Sequence, residues 1–288
     1  MRYDIVVLGS GPAGLSAAVA ARGRNKSVLV VGNRWQDSPL ARAECVDNYL
    51  GLPSMTGAEL MDRFTRHAEE SGANLVTGKV ISLMAWEGFH LTVGNELYEG
   101  SSLILAPGVV RQAKYPGEME YLGRGVSYCA TCDGMLYRGK PVVVVGRSKD
   151  APREAAYLKE LGCQVVYVAA RRPEQLDPAI PFVQANRLEV EGEQTVTGLR
   201  ADGSFLPCSG IFILREAVAP TDLLPGLETE NGAIRVDRRM ATSILGVFAA
   251  GDCTGEPLQV SKAVGEGLTA ALSAAEYLDQ LPQKDTAK

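Results

Sequence analysis

Two cysteines separated by two residues, Cys129 and Cys132, are the strongest chemical signal in the chain, and Asp133 follows them directly. This spacing lets two thiols close a small disulfide ring and open it again. The acid places a proton donor and acceptor beside them. Zinc sites use the same spacing, but the other four cysteines are isolated in the sequence and the chain has only two histidines. We therefore interpret the pair as redox-active and predict no metal site.

A glycine-rich segment near the N-terminus predicts a dinucleotide site. Residues 9–14 read GSGPAG, between a predicted strand at Tyr3–Gly9 and a predicted helix at Pro12–Arg24. In GxGxxG, the first glycine permits the tight turn, the second lets the backbone approach a pyrophosphate, and the third lets the helix pack closely on the strand. The phosphates then face a helix N-terminus. The acid expected for the ribose is absent, since the second strand ends in Val31-Gly32-Asn33.

The same strand–turn–helix pattern starts again near the middle of the chain. A predicted strand at Pro141–Val145 is followed by a predicted helix at Ala151–Leu161 and a predicted strand at Gln164–Ala169. The sequence therefore predicts an α/β protein with two Rossmann-like, three-layer nucleotide-binding domains in series. Further strands are predicted at Leu91–Val93, Leu97–Tyr98 and Ser102–Ala106. A strand at Ile234–Val236 is predicted to belong to the second unit.

Composition narrows the classes of partner and compartment. The chain has 288 residues, a hydrophobic content of 46% and a net charge of −5, which argue for a globular protein and against a nucleic-acid partner. No apolar run is long enough to span a bilayer, and a strand begins too early to leave room for a signal peptide. Six cysteines in so long a chain do not form a disulfide framework, so we expect the cytoplasm.

Six motifs together resemble the low-molecular-weight thioredoxin reductases, over nearly the whole chain. They are GSGPAG at 9–14, Asp47-Asn48-Tyr49, Ala106-Pro107-Gly108, CATCDG at 129–134, GVFAAGD at 246–252, and Gln259-Val260. The resemblance implies an FAD-binding domain made of 1–112 and 244–288. Residues 113–243 would form an inserted, NADPH-type domain that carries the dithiol. It also implies a homodimer that reduces thioredoxin.

The resemblance assigns roles to individual residues. Asn48 should approach the isoalloxazine ring, Asp252 the ribityl chain, and Gln259 and Val260 the pyrimidine edge of the ring. The full predicted FAD set is Gly9, Gly11, Pro12, Ala13, Gly14, Asn48, Ala106, Gly108, Gly251, Asp252, Gln259 and Val260.

For the dithiol, the resemblance makes Cys132 the sulfur nearer the flavin and Cys129 the sulfur that attacks the partner disulfide. Asp133 would give and take the proton. We expect Cys163, Cys208 and Cys253 to be buried structural thiols.

The second nucleotide turn departs from the family pattern. Residues 146–151 read GRSKDA, so Ser148 stands where the backbone must approach a pyrophosphate, and the 2′-phosphate clamp is reduced to Ala169-Ala170-Arg171-Arg172. Residues 138–172 hold eight Lys or Arg against three acids. A basic surface favours an acidic protein carrier. We therefore expect a donor other than NADPH, with ferredoxin as the candidate.

Three alternatives remain open. The chain could be a small-molecule dithiol oxidase, although that class relies on histidine near the dithiol and neither His67 nor His90 is near it in sequence. It could be an NADPH-dependent thioredoxin reductase with a divergent second site. It could be a flavin-bound redox sensor without turnover, which would not need the acid after the cysteines.

Overall fold

The chain divides into two compact units, one formed by Met1–Val110 with Ala219–Lys288 and the other by Arg111–Val218. The structure, a computed structural model, describes residues 1–94, 96–109, 114–215 and 220–282. The predicted boundary at 112/113 lies outside the described residues. Within these ranges, no helix combines the length and the apolar character that crossing a bilayer would require.

In the part of the chain that the structure describes, the first part of the first unit has six strands and two α-helices. They are β1 (Arg2–Leu8), α1 (Pro12–Arg22), β2 (Val28–Gly32), α2 (Gly57–Glu70), β3 (Asn74–Thr77), β4 (Val80–Ala85), β5 (Phe89–Val93) and β6 (Glu96–Leu105). The strands lie in the order β3-β2-β1-β6-β5-β4. β1 is parallel to both neighbours, and both of its faces are covered, so Ile5, Val6 and Val7 are fully buried.

β6 joins two segments that the sequence pattern predicts as separate strands. Its first half is antiparallel to β5, and its second half is parallel to β1. The polar residues 99–102 interrupt the hydrophobic pattern without ending the strand. Ser102 is fully buried there because its hydroxyl donates a hydrogen bond of 2.9 Å to the carbonyl oxygen of Gly246.

The described residues of the second unit form eight strands and two α-helices. They are β7 (Val126–Ser127), α3 (Ala130–Asp133), β8 (Pro141–Arg147), α4 (Ala151–Glu160), β9 (Gln164–Ala169), β10 (Phe182–Gln184), β11 (Leu188–Gly192), β12 (Val196–Ala201), β13 (Ser204–Pro207) and β14 (Gly210–Arg215). A parallel sheet has the order β10-β9-β8-β14-β7, and β11–β13 form a separate antiparallel sheet. Strands β8 and β14 are buried along most of their length.

The chain then returns to the first unit. Its last elements are α5 (Pro220–Leu223), β15 (Thr229–Glu230), β16 (Ala233–Ile234), β17 (Val247–Ala249) and α6 (Val260–Gln280). β17 joins the first sheet parallel to β6. The sequence assigns 219–243 to the inserted domain, whereas the structure groups it with the first unit. Leu224, Leu227 and Ile234 are the reason, because they pack in the same core as residues of β1, β6 and β17.

Each unit therefore places helices on a largely parallel sheet. In the first unit, α1 and α6 cover one face of the sheet and share a core with Ile5 and Val7 of β1. The predicted α/β class with two Rossmann-like sheets is confirmed. The predicted strand at Ile234–Val236 is not part of the second sheet, since β16 pairs with β15 in the first unit.

Candidate active site

The dithiol lies at the junction between the edge strand β7 and the short helix α3 of the second unit. Cys129 and Cys132 form a disulfide with their Cα atoms 5.4 Å apart. Cys129 is 4% exposed, whereas Cys132 is exposed. In this arrangement the surface therefore presents Cys132, and Cys129 must become accessible before it can attack another protein.

The sulfur of Cys129 occupies the N-cap position of α3. The backbone N–H of Cys132 donates to this sulfur at 3.0 Å, and the hydroxyl of Thr131 lies 3.4 Å from it. Backbone N–H groups at the start of a helix favour negative charge. These contacts therefore favour a thiolate at Cys129 once the disulfide is opened.

Ser127 connects the acid to the cysteine backbone. Its hydroxyl donates to Asp133 Oδ2 at 2.7 Å and accepts from the backbone N–H of Cys129 at 3.0 Å. Asp133 is half-buried and lies one residue beyond Cys132. The sequence analysis missed Ser127. The usable signal was a polar residue at the end of a buried strand, two positions before the first cysteine.

The GSGPAG segment forms the turn between β1 and α1. Gly9 has φ +121°, and a Cβ on it would overlap the carbonyl oxygen of Ala106. A Cβ on Gly14 would likewise overlap the carbonyl oxygen of Gly9, so helix and strand touch there. A Cβ on Gly11, in contrast, would meet no atom within 4 Å. Gly11 thus borders open space at the N-terminus of α1, as backbone that receives a pyrophosphate must.

Predicted FAD residues from three separate segments, 9–14, 106–108 and 251, lie close together at this turn. Gly9 packs on Ala106, and Gly251 packs on Ala13, where an added Cβ would lie 2.8 Å from the Ala13 Cβ. Gly251 has φ +85°, which disfavours any larger residue. Pro12 begins α1, and Gly108 has φ +72° with open space around its Cβ position. The residues present fit an FAD pyrophosphate.

The remaining predicted FAD residues form two small groups. The Asn48 side chain donates to Gln259 Oε1 at 2.9 Å, and Val260 packs against the core around Val46 and Leu60. Asp252 begins the turn after β17. Burial raises the pKa of Asp252, with the charge of Lys262 acting against this shift and that of Glu266 adding to it.

The end of β2 has a hydrogen bond where a ribose-binding acid was expected. The Ser10 hydroxyl donates to the carbonyl oxygen of Asn33 at 2.6 Å. A Cβ on Gly32 would lie 2.5 Å from Ser10 Oγ, so the two strands' ends approach closely. Ser10 is a second residue missed from the sequence, since its position in the motif accepts many residue types.

Three of the four remaining cysteines are buried, as predicted. Cys163, Cys208 and Cys253 are buried, and burial raises the pKa of Cys208 and of Cys253 to about 12. Cys45 is exposed, and its hydrogen bond to Asp47 raises its pKa. Both histidines, His67 and His90, belong to the first unit and not to the unit that holds the dithiol.

The carboxyl edge of the second sheet is filled by side chains. Arg215, 6% exposed at the end of β14, donates to Glu118 Oε1 and Oε2 at 2.5 and 2.7 Å. Glu118, fully buried, also accepts from the Tyr128 hydroxyl at 2.7 Å and from the Tyr115 N–H at 2.9 Å. Arg147, at the end of β8, donates to the Tyr115 hydroxyl at 2.5 Å.

The charge states of this cluster follow from its contacts. Burial alone would raise the pKa of Glu118, but the hydrogen bonds from Arg215, from the Tyr115 backbone and from Tyr128 outweigh it, so the pKa is lowered. Burial alone would lower the pKa of Arg215, but Glu118 reverses that shift. The pair is therefore ionised and neutralised internally.

The end of β8 and the turn that follows it are also closed over the backbone. A Cβ on Gly146 would overlap the hydroxyl of Tyr167, a residue that is 1% exposed. The Oγ atom of Ser148 is buried in the same turn. In both respects this turn differs from the open one at Gly11.

Comparison with known proteins places the chain among flavin-linked disulfide reductases. Residues 3–267 match the sequence profile of the pyridine nucleotide-disulphide oxidoreductase family. A thioredoxin reductase from Bacillus subtilis (strain 168) is 31% identical, over 98% of this chain and 96% of the relative.

Solved structures add a finer likeness. A ferredoxin-flavin thioredoxin reductase from Clostridium acetobutylicum superposes with a TM-score of 0.86 at 44% identity, over 97% of this chain and 99% of the other. The atypical thioredoxin reductase TRi from Desulfovibrio vulgaris Hildenborough superposes with a TM-score of 0.72 at 33% identity, over 98% and 100%.

Proposed function

Because the chain belongs to the pyridine nucleotide-disulphide oxidoreductase family, as an FAD-dependent disulfide oxidoreductase of the thioredoxin reductase type, we propose that its dithiol reduces a thioredoxin and that its electrons come from a ferredoxin. The observation that carries the choice of donor is the filled carboxyl edge of the second sheet, beside an intact Cys129–Cys132 disulfide. FAD, when bound, would supply the two-electron redox chemistry that links the donor to the Cys129–Cys132 disulfide. The roles of individual residues below are part of this proposal.

The first unit would hold FAD through the turn at Gly9–Gly14 and the turn at Gly251–Asp252. The N-terminus of α1 favours the negative charge of the pyrophosphate, and Gly11 leaves room for it. Asp252 would bind the ribityl chain, and Asn48, Gln259 and Val260 would border the ring. Their support is the hydrogen bond from Asn48 to Gln259, and the position of Asp252 directly after Gly251, which packs on Ala13.

The dithiol would transfer two electrons in two exchange steps. A Cys129 thiolate attacks one sulfur of the thioredoxin disulfide, which forms a mixed disulfide and releases the other thioredoxin sulfur as a thiolate. Cys132 then attacks Cys129 Sγ, which restores the Cys129–Cys132 bond and releases the second thiol of thioredoxin. Asp133, held by Ser127, takes and returns the proton that the thiol-to-thiolate changes require.

The second unit is ill suited to a pyridine dinucleotide. In sheets of this type, ligands bind beyond the carboxyl ends of the parallel strands. Here Arg215 and Arg147, register partners at the ends of β14 and β8, are engaged by Glu118 and Tyr115. A nucleotide phosphate would have to compete with a buried bidentate carboxylate for Arg215.

A ferredoxin would approach the basic segment 138–172. Its eight Lys and Arg residues are exposed: Arg138, Lys140, Arg147, Lys149, Arg153, Lys159, Arg171 and Arg172. Ferredoxins are acidic, and opposite charge accelerates such encounters. The Clostridium acetobutylicum relative is itself described as a ferredoxin-flavin thioredoxin reductase.

We extend the proposal to a homodimer in the cytoplasm, which rests on the resemblance to low-molecular-weight thioredoxin reductases. Light scattering at micromolar concentration should give about twice the chain mass of 30.7 kDa. A monomeric mass would remove the dimer from the proposal and leave the chemistry unaffected.

Substitution of each cysteine tests the catalytic part of the proposal. With oxidised thioredoxin, Cys132→Ser should accumulate a mixed disulfide through Cys129 after chemical reduction, because no second thiol resolves it. Cys129→Ser should form little or none, and both variants should lose ferredoxin-driven reduction of thioredoxin. Cys45→Ser removes the other exposed cysteine and serves as the control. Thioredoxin reduction by Cys129→Ser at the parent rate would refute the assignment.

A further inference from the structure

The turn that carries Asp252 is held by a lysine and a glutamate that lie one helical turn apart on α6. Lys262 Nζ donates to the carbonyl oxygens of Gly251 and Gly255 at 2.9 and 2.7 Å and to Thr254 Oγ1 at 2.9 Å. All three protons of the ammonium group therefore have acceptors within the turn.

Glu266 completes the network from the other side. Its Oε2 accepts from the backbone N–H of Gly251 at 2.9 Å, lies 2.8 Å from the Thr254 hydroxyl, and is 3.2 Å from Lys262 Nζ. The side chains of Lys262 and Glu266 are only 15% and 19% exposed. A half-buried ion pair whose polar atoms point at one backbone turn is not an ordinary surface pair.

The same pair contributes to the electrostatic field at Asp252. Burial raises the pKa of Asp252, Lys262 lowers it and Glu266 raises it again. Both charges therefore act on Asp252, the first side chain of the turn. In addition, Gly251 packs directly on Ala13 of the first nucleotide motif, so the braced turn adjoins the predicted pyrophosphate site.

We propose that Lys262 and Glu266 are positioning residues of the FAD site, which hold the Gly251–Gly255 turn and whose opposite charges set the reduction potential of the bound flavin. This inference rests on the FAD site proposed above. A positive charge nearby favours the form that has gained electrons, and a negative charge disfavours it. The two residues therefore share a structural role but have opposite electrostatic effects.

Two charge-removing variants separate these roles. Lys262→Met and Glu266→Gln each remove contacts that hold the Gly251–Gly255 turn. Both variants should therefore bind FAD about tenfold more weakly, as measured by the FAD that stays bound after dilution of the holoenzyme. The flavin midpoint potential should move in opposite directions, more negative in Lys262→Met and more positive in Glu266→Gln. Lys262→Arg keeps the charge and should stay close to the parent potential.

A matched control lies on the same helix. Glu276 pairs with Arg239 on the surface, with side chains 53% and 57% exposed, so Glu276→Gln should change neither FAD retention nor the potential. The experiment combines FAD fluorescence after dilution with spectroelectrochemical titration of each holoenzyme. Opposite shifts in the two charge variants support the proposal, and shifts of the same sign, or none, overturn it.

Asp252→Asn distinguishes failure of this inference from failure of the FAD site itself. Unchanged FAD retention in Asp252→Asn would show that the proposed cofactor site is wrong, and the inference would fall with it. If Asp252→Asn weakens FAD binding but the two charge variants do not shift the potential oppositely, only the role of Lys262 and Glu266 is overturned.

Discussion

At the scale of single residues, Ser127 shows how a neutral side chain can organise a redox site. Its one hydroxyl accepts from the Cys129 N–H and donates to the Asp133 carboxylate, so the cysteine backbone and the acid are tied through one atom. Residue type and spacing were enough to propose Cys129, Cys132 and Asp133 as candidates, and the structure joins the two cysteines in a disulfide. Residue type and spacing could not predict Ser127, because serine at the end of a strand is common and its partners become evident only when the chain folds back.

Ser127→Ala should lower the turnover number for thioredoxin about tenfold, because a hydrogen bond to a charged group is worth about 1.5–3 kcal/mol. The Michaelis constant for thioredoxin should change little, since Ser127 is buried. Steady-state assays with reduced ferredoxin measure both constants. Ser204→Ala, on the exposed strand β13, is the control. If Ser127→Ala keeps the turnover number of the parent, the proposed role of Asp133 does not depend on its hydrogen bond from Ser127.

At the scale of elements, the strands predicted best were those whose apolar runs are buried on both faces, such as β1, β8 and β9. The three-stranded sheet β11–β13 was not predicted, because its strands alternate buried and exposed residues weakly and depend on one another for pairing. The placement of β16 with β15 was also missed. Pairing partners of a two-residue strand are set by tertiary contacts and leave no periodic signal.

The contact between α1 and α6 gives a test of how helix packing supports the proposed FAD site. A Cβ on Gly267 would overlap the carbonyl oxygen of Ala13, so Gly267→Ala should force the two helices apart. We expect a loss of about 1–3 kcal/mol in stability and release of FAD at a lower temperature. Gly265→Ala, two residues away on the same helix with nothing within 4 Å, should be neutral or stabilising. Thermal unfolding followed by flavin fluorescence measures both effects, and equal behaviour of the two variants would contradict this account.

The Glu118–Arg215 pair gives a second test at this scale, because it joins the end of β14 to the segment before the dithiol. Removal of one partner leaves a buried, uncompensated charge, so Arg215→Met should cost about 3–5 kcal/mol. Urea unfolding at neutral pH measures it. Arg235→Met, which breaks an exposed pair with Glu228, should have little effect. A similar small effect of Arg215→Met would mean that the pair is dispensable.

The pair also predicts a pH dependence of stability. The pKa of Glu118 is lower in the folded state than its ordinary value of 4.5. Its stabilising contribution is therefore fully present above about pH 4.5 and is lost as the pH falls towards the lowered value. Glu118→Leu combined with Arg215→Met should remove this part of the acid sensitivity in urea titrations.

At the scale of the whole molecule, charge is distributed unevenly along the chain. The net charge is −5, yet residues 138–172 carry eight basic and three acidic residues. The α/β class, the family and the FAD dependence were all predictable from motifs, because GSGPAG lies in a strand–turn–helix context and CATCDG occurs in the same chain. The assignment of residues 219–243 to the first unit was not predictable from motifs. It depends on three apolar side chains of that segment, which pack in the core of the first unit.

Anaerobic stopped-flow reduction of the flavin tests the central claim most directly. The oxidised holoenzyme is mixed in one session with NADPH, NADH and reduced ferredoxin, and the loss of flavin absorbance is followed. We predict rapid bleaching by ferredoxin, at a rate that falls as salt is raised, and slow or no bleaching by either nucleotide. Rapid bleaching by micromolar NADPH would contradict the account and restore an NADPH-dependent thioredoxin reductase. If the rate with ferredoxin does not depend on salt, residues 138–172 are not the ferredoxin docking surface. The filled edge of the second sheet would still disfavour NADPH as the donor.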